Sequence, residues 1–295
     1  MESLLQRLAA GEILVCDGAM GTFLQARGLK PGECPELWCV DRPDDVRAIH
    51  ASYRDAGSDI VECNSFGGSS YKLKHYGLEG TVADINLRAA ELARDVADGT
   101  QYVLGSLGPT GEFMAPLGLA TEEEFIAAFG AQARALEEGG ADLAIVETMT
   151  ALEEAAAAVK AIRAETGLVA IVSFTFDPQV SGGYATMMGV RPEAFAAAAV
   201  EMGADVIGAN CGTGPDDMIK VVAALRAAAP DTPIIAMPNA GMPVIENGET
   251  VFKETPEEMA AKVPLLVEAG ANIIGGCCGT SPAHIEAMKA AVTAL

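Results

Sequence analysis

One unit recurs eight times along this chain and leaves few folds open. A short apolar run is followed by a turn containing Gly, Thr, Asn or Cys, and then by an Ala- and Glu-rich stretch with helical spacing. The runs lie at Ile13–Cys16, Ile60–Cys63, Tyr102–Leu104, Leu143–Val146, Val169–Phe176, Val206–Asn210, Ile234–Met237 and Ile273–Gly276. The patterns between them predict helices over 44–56, 82–97, 122–138, 152–165, 192–202, 216–228, 256–268 and 282–292. Short strands rich in β-branched residues, alternating with helices, call for a parallel sheet covered by helices. Eight such units in fewer than 300 residues predict an α/β chain folded as a single (β/α)8 TIM barrel, preceded by a short helix over residues 1–9. Four helical stretches end in similar words: Ala56-Gly57-Ser58-Asp59, Gly139-Gly140-Ala141-Asp142, Gly203-Ala204-Asp205 and Gly270-Ala271-Asn272. Glycine there supplies a left-handed helix end before the next strand. No linker or low-complexity stretch divides the chain, so residues 1–295 are expected to be one domain. The irregular segments 28–43 and 239–255 are long enough to be functional loops.

If the barrel forms, its chemistry belongs at the C-terminal ends of the strands. The residues expected there are Asp17, Asn64, Glu147, Cys211, Asn239, Cys277 and Cys278. Three of these are cysteines at matched strand-to-helix turns, Gly208-Ala209-Asn210-Cys211-Gly212-Thr213 and Gly275-Gly276-Cys277-Cys278-Gly279-Thr280. Neighbouring cysteines cannot close an ordinary disulfide without strain, because their Cα atoms are about 3.8 Å apart. Both can point at one metal ion, and a third thiolate from another strand completes a three-sulfur face with a fourth position open. That is the arrangement of a catalytic Zn²⁺ site. Inert packing of small hydrophobes, or a redox pair, is the alternative.

Three thiolates around Zn²⁺ make a poor generator of hydroxide and a good holder of one more sulfur. A substrate thiol entering there would lose its proton, since its free pKa is about 8.5. It would remain electron-rich enough to attack an alkyl carbon, so alkyl transfer to a thiol is the reaction the residues point to. Asp17 and Glu147, at the ends of strands one and four and roughly opposite the cysteines, could take a substrate ammonium group. Backbone amides of the turn after Asp17 could take its carboxylate. Together these features indicate an amino-acid thiol.

Composition narrows the partners. With 41 acidic against 19 basic side chains, the formal charge is −22, a surface that repels phosphate backbones and argues against nucleic acid. No apolar run approaches the roughly 18 residues that cross a bilayer, and Met1-Glu2-Ser3 lacks a signal peptide's basic region. A membrane is therefore not expected and a cytoplasmic location is. Seven cysteines without a secretion signal fit a reducing compartment. His50, His75 and His284 lack ligand spacing to the cysteines. Cys16 and Cys63 read as packing, and Cys34 and Cys39 lack the flanks of a redox motif. No dinucleotide fingerprint is present, whereas the Gly-Thr turns after Cys211 and Cys278 leave open a phosphate-binding barrel.

Seven ordered motifs carry a resemblance that spans almost the whole chain. They begin at Asp17 (through Thr22), Glu62 (through Gly67), Gly105 (through Gly111), Glu147 (with Thr148), Gly208 (through Thr213), Pro238 (through Gly241) and Gly275 (through Thr280). The chain resembles the homocysteine S-methyltransferase family. Within it, the chain is more similar to the homocysteine-binding module of cobalamin-dependent methionine synthases than to betaine-homocysteine methyltransferases. The resemblance implies a zinc-dependent transfer of methyl to homocysteine, giving methionine, with Cys211, Cys277 and Cys278 on zinc and the homocysteine sulfur in the fourth place. It implies that Asp17, the backbone of Gly18 and Ala19, and Glu147 hold the amino-acid end, with Asn239 close to the zinc when substrate is absent. Methionine synthases continue into further modules, so this chain is either a fragment or works with a separate donor. That donor is methylcobalamin on a small corrinoid protein, or a methyl-sulfonium or methyl-ammonium compound. The reverse task, passing a methyl group to a corrinoid protein, and plain storage of homocysteine are the other readings. Cys63, where relatives often carry threonine, is expected to alter packing only.

Overall fold

The computed structural model describes residues 2–246 and 249–295. Eight strands form one parallel sheet: β1 Leu14–Val15, β2 Ile60–Glu62, β3 Tyr102–Leu107, β4 Leu143–Met149, β5 Val169–Phe174, β6 Val206–Asn210, β7 Ile234–Met237 and β8 Ile273–Ile274. Each strand pairs with its neighbours in chain order, and β8 returns to pair with β1 (Ile273 opposite Leu14). A parallel bridge between Cys16 and Ile60 joins β1 to β2 and closes the ring. The expected (β/α)8 barrel is thus present, with helices around it.

Strand alternation divides the core into two layers. Leu104, Leu143, Ile145, Ile171, Val206, Ile235 and Ile273 fill the barrel interior, and Leu4 and Leu8 pack into the same cluster. The short helix Leu4–Ala9, closed by a capping box of Ser3 and Gln6, therefore plugs the bottom of the barrel. Tyr102 reinforces the plug by donating its hydroxyl to the Glu2 carbonyl at 2.7 Å. The other face of the strands (Ala144, Val146, Ala170, Val172) packs on the alanine-rich sides of the helices. Alanine allows close approach there, and its helix propensity is the highest of the ordinary residues.

The helices begin where the sequence marks them. Thr121 with Glu124 and Thr255 with Glu258 form capping boxes, and Pro192, Pro215 and Pro282 occupy first-turn positions that tolerate a missing N–H. Helices Pro192–Met202 and Pro256–Ala269 end on left-handed Gly203 and Gly270. The acid or amide closing each repeated word has a further use. Asp59 accepts the N–H of Val15, Asp142 that of Val103 and Asp205 that of Ala170, each at 2.8 Å, and Asn272 that of Ile234 at 3.0 Å. The acid or amide before each even-numbered strand thereby pins the start of the preceding odd one and sets the register from below.

The differences from expectation lie at the C-terminal ends of the strands. β3 runs three residues past Leu104, and β4 runs on to Met149. The two irregular segments and the glycine-rich loop after β5 contain structure: a short helix Trp38–Asp41, and antiparallel pairs Asp177–Pro178 with Tyr184–Ala185 and Val244–Glu246 with Glu249–Val251. Among the described residues no helix is long and apolar enough to cross a membrane.

Candidate active site at the barrel mouth

Cys211 leaves β6 with a φ of 58°, a left-handed conformation uncommon for a residue with a side chain and typical of positions held by their surroundings. The holding contacts are the Cys211 N–H on the Met237 carbonyl at 3.1 Å and the Thr213 N–H on the Cys211 carbonyl at 2.6 Å. Beyond β8, the Cys277 N–H donates to Pro238 at 2.9 Å and the Cys277 carbonyl accepts from Thr280 Oγ1 at 2.7 Å. Gly279 turns the chain there with a φ of 82°, where a Cβ would lie 2.2 Å from Phe252 Cγ. Both the turn and that packing require glycine.

The two turns converge. Cys211 and Cys278 Sγ are 3.9 Å apart, and the sulfurs of Cys211, Cys277 and Cys278 all lie within 4.8 Å of one another. Thiolates about 2.3 Å from one tetrahedral metal ion would stand about 3.8 Å apart, so this donor set fits a soft divalent metal. Cys211 carries negative charge most readily. The Cys277 and Cys278 thiols donate toward it and hold it well below the ordinary thiol value, while those two are pushed up. Asn239, nearby, lowers the Cys211 pKa less than the two thiols do. Its Oδ1 is buried without a partner among the described residues.

The sulfurs border a cavity of about 260 Å³ lined also by Gly18, Ala19, Met20, Glu36, Glu62, Cys63, Asn64, Glu147 and Thr148. Gly18, Ala19 and Glu147 thus stand at the cavity. Asp17 and Asn239 do not line it and are buried beside it, 3% and 4% exposed. The Ala19 N–H is already given to Thr280 Oγ1 at 3.1 Å. The Gly18 N–H has no partner among the described residues.

Glu147, ending β4, lies across the ring from β8 and its cysteine pair, but Asp17 does not. Ring closure makes β1, which ends at Asp17, the direct neighbour of β8, which ends at the cysteine pair. Glu147 lies near enough for Cys211 to raise its pKa electrostatically, although burial is the larger cause. Its Oε2 accepts from Asn210 Nδ2 at 3.0 Å, and Ser106 donates to its Oε1. Asn210 is wholly buried and also binds Thr148, another left-handed residue at φ 58°.

Two residues of this site are missing from the expected set. Glu62 closes β2 and faces the cavity, and Glu36 binds the Gly67 N–H at 2.7 Å, holding the loop after β2. Glu36 stands in an irregular segment that gives no periodic signal, whereas Glu62 is detectable as an acid ending an otherwise apolar strand. His50 and His75 are absent from the cavity lining, and His284 caps its own helix by accepting from Ser281.

Burial raises the Asp17 carboxyl to about 8, against about 3.9 in an unfolded chain. Between those values the folded protein keeps a proton that the unfolded chain has lost, so this group's contribution makes stability fall as pH rises. The metal-free Asp17→Asn protein should therefore show a smaller drop in melting temperature from about pH 5 to about pH 8 than the wild type. Equal drops would mean that the carboxyl is not held protonated.

Fold and site define a (β/α)8 barrel with a sulfur-rich centre at its mouth. The family model for homocysteine S-methyltransferase matches residues 14–292, and the chain belongs to that family. It is 36% identical to the methionine synthase of Mycobacterium leprae (strain TN) over 99% of its own length, and 36% identical to that of Mycobacterium tuberculosis (strain ATCC 25618 / H37Rv) over 95%. It spans about a quarter of those proteins, 25% and 24%. Among solved structures, the metallated form of the homocysteine methyltransferase MmuM from Escherichia coli superposes with a TM-score of 0.78. The two share 27% identity, with 97% of this chain and 99% of that chain covered.

Proposed function

We propose that residues 1–295 form one homocysteine-binding domain that transfers a methyl group to the homocysteine thiol, giving methionine. The observation that carries this reading is the convergence of three sulfurs within 4.8 Å at the rim of a carboxyl-lined cavity, in a chain of this family. Cys211, Cys277 and Cys278 would hold one Zn²⁺, which when bound supplies the Lewis acidity that keeps a substrate thiol ionised at neutral pH.

The chain's own residues bind and orient. Glu147, fixed by Asn210 and Ser106, accepts the substrate ammonium, and the Gly18 turn offers an N–H to the carboxylate. Cys277 and Cys278, with a smaller contribution from Asn239, favour the anionic form of Cys211. The partly enclosed cavity limits water around the nucleophilic sulfur, which keeps it reactive toward a methyl carbon. Methylcobalamin on a corrinoid protein is the donor favoured by the resemblance to methionine synthases.

The test is zinc content and proton release. Purified protein should contain one zinc per chain and release about one proton per homocysteine bound at pH 7, because a free thiol of pKa about 8.5 is almost fully protonated there. It should then convert homocysteine to methionine with methylcobalamin. Absence of zinc, or homocysteine binding without proton release, would overturn the thiolate reading. Turnover only with a methyl-sulfonium or methyl-ammonium compound would overturn the choice of donor.

A further inference from the structure

We propose that Glu62 is a second substrate-facing carboxylate, which with Glu147 forms a cation pocket selecting an α-amino thiol over the same thiol acid lacking its amino group. This rests on the homocysteine reading above and names the group that recognises the amine. Glu62 and Glu147 end strands that flank β3, and both line the same cavity. Ser106, on the β3 strand between them, donates to the Glu147 carboxyl. No Lys, Arg or His stands among the described residues lining the cavity. Two carboxyls facing one space without a counter-cation disfavour each other's ionised form. A ligand bringing a positive nitrogen with three N–H donors relieves that conflict.

Asp17 is not equivalent to them. Its Oδ2 accepts the Glu62 N–H at 2.9 Å and its Oδ1 accepts from Cys16 Sγ at 3.6 Å. Each oxygen thus holds one neighbour of the strand ends, and Asp17 is not among the residues that line the cavity. Asp17 is a positioning residue: it holds the end of β2 so that the Glu62 carboxyl is directed into the mouth. One ligand atom from each of Cys16, Asp17 and Glu62 lies within 4.8 Å of the others, close enough for a change at Asp17 to move Glu62.

The experiment compares two thiols, homocysteine and 4-mercaptobutyrate, which share chain length, thiol and carboxylate and differ in the amino group. Binding of each to zinc-loaded wild-type and Glu62→Gln protein is measured by calorimetry, with zinc content checked in parallel. A lost charge-assisted hydrogen bond corresponds to about a 10- to 100-fold loss of affinity. Glu62→Gln should weaken homocysteine by that range, leave 4-mercaptobutyrate within about twofold, and keep its zinc. In turnover the homocysteine KM should rise with kcat nearly unchanged, and Glu62→Asp should restore part of the affinity. Equal losses for both thiols would assign Glu62 a structural role, and unchanged homocysteine affinity would remove it from the site. A wild-type protein that binds neither thiol would overturn the homocysteine reading itself, and this inference with it.

Discussion

Cys278→Ala protein should purify folded, with zinc far below one ion per chain and methyl transfer slowed by at least about a thousandfold, equivalent to about 4 kcal/mol of lost transition-state stabilisation. The argument starts from donor count. Cys211 and Cys277 alone give a metal two protein ligands, one fewer than catalytic zinc sites use, and among the described residues no further cysteine joins their cluster to replace Cys278. Without that centre, an amino-acid thiol at neutral pH is only a few per cent ionised, so both its activation and its placement are lost. The fold should survive because Cys278 is half-buried on the rim. Its structural contact is its carbonyl accepting the Ala240 N–H at 3.0 Å, which alanine keeps. Melting in chelator should therefore match the wild type to within about 1 kcal/mol. A variant that keeps one zinc and full turnover would remove Cys278 from the proposed ligand set.

The barrel is legible because local signals and tertiary demand agree over most of the chain. Helices Glu122–Glu138, Leu152–Glu165 and Pro192–Met202 occur over the spans the pattern predicts, since a capping box or a first-turn proline marks two of the starts and unbroken helix formers mark the third. The strand ends are less legible, for a physical reason. Gly105 reads as the start of a turn, yet β3 continues through it. A Cβ there would come 2.8 Å from Leu136 Cδ1, so this glycine admits a helix against the sheet rather than bending the chain. A local reading cannot separate those two uses of glycine.

The cysteine triad is legible because it rests on residue type and equivalent position in the unit. The carboxyls are harder, because their roles depend on ring closure and burial depth. Counting strands in a line places Asp17 far from Cys277, while the closed sheet makes their strands neighbours. Asp17 and Glu62 both look like acids near strand ends. Only the structure separates them, with one buried beneath the mouth and one open to it. The hydrogen-bonding role of Asn210 is equally hidden, since its neighbour Cys211 draws attention to the chemistry while Asn210 holds the surrounding strands.

Asn210→Ala should be the most destabilising single change near the mouth, costing about 3–5 kcal/mol. Asn210 Oδ1 accepts from Thr148 N at 2.9 Å and Ser173 Oγ at 2.7 Å. Its Nδ2 donates to Thr148 Oγ1 at 2.8 Å and to Glu147 Oε2 at 3.0 Å. One side chain thus ties β4, β5 and β6 together at full burial. Alanine leaves the Thr148 N–H, the Ser173 hydroxyl and one Glu147 oxygen short of a partner, and each buried orphan costs about 1–3 kcal/mol. These costs are not additive, because the groups relax together, which sets the total below their sum. Thr148 and Cys211, both at φ 58°, would also lose part of what holds them in the left-handed region. The variant should therefore weaken homocysteine binding through a displaced Glu147 as well as melt earlier. Urea unfolding in chelator isolates the stability term from any contribution of metal. A midpoint within experimental error of the wild type would mean that the strands are held without this network, and that Asn210 serves the site alone.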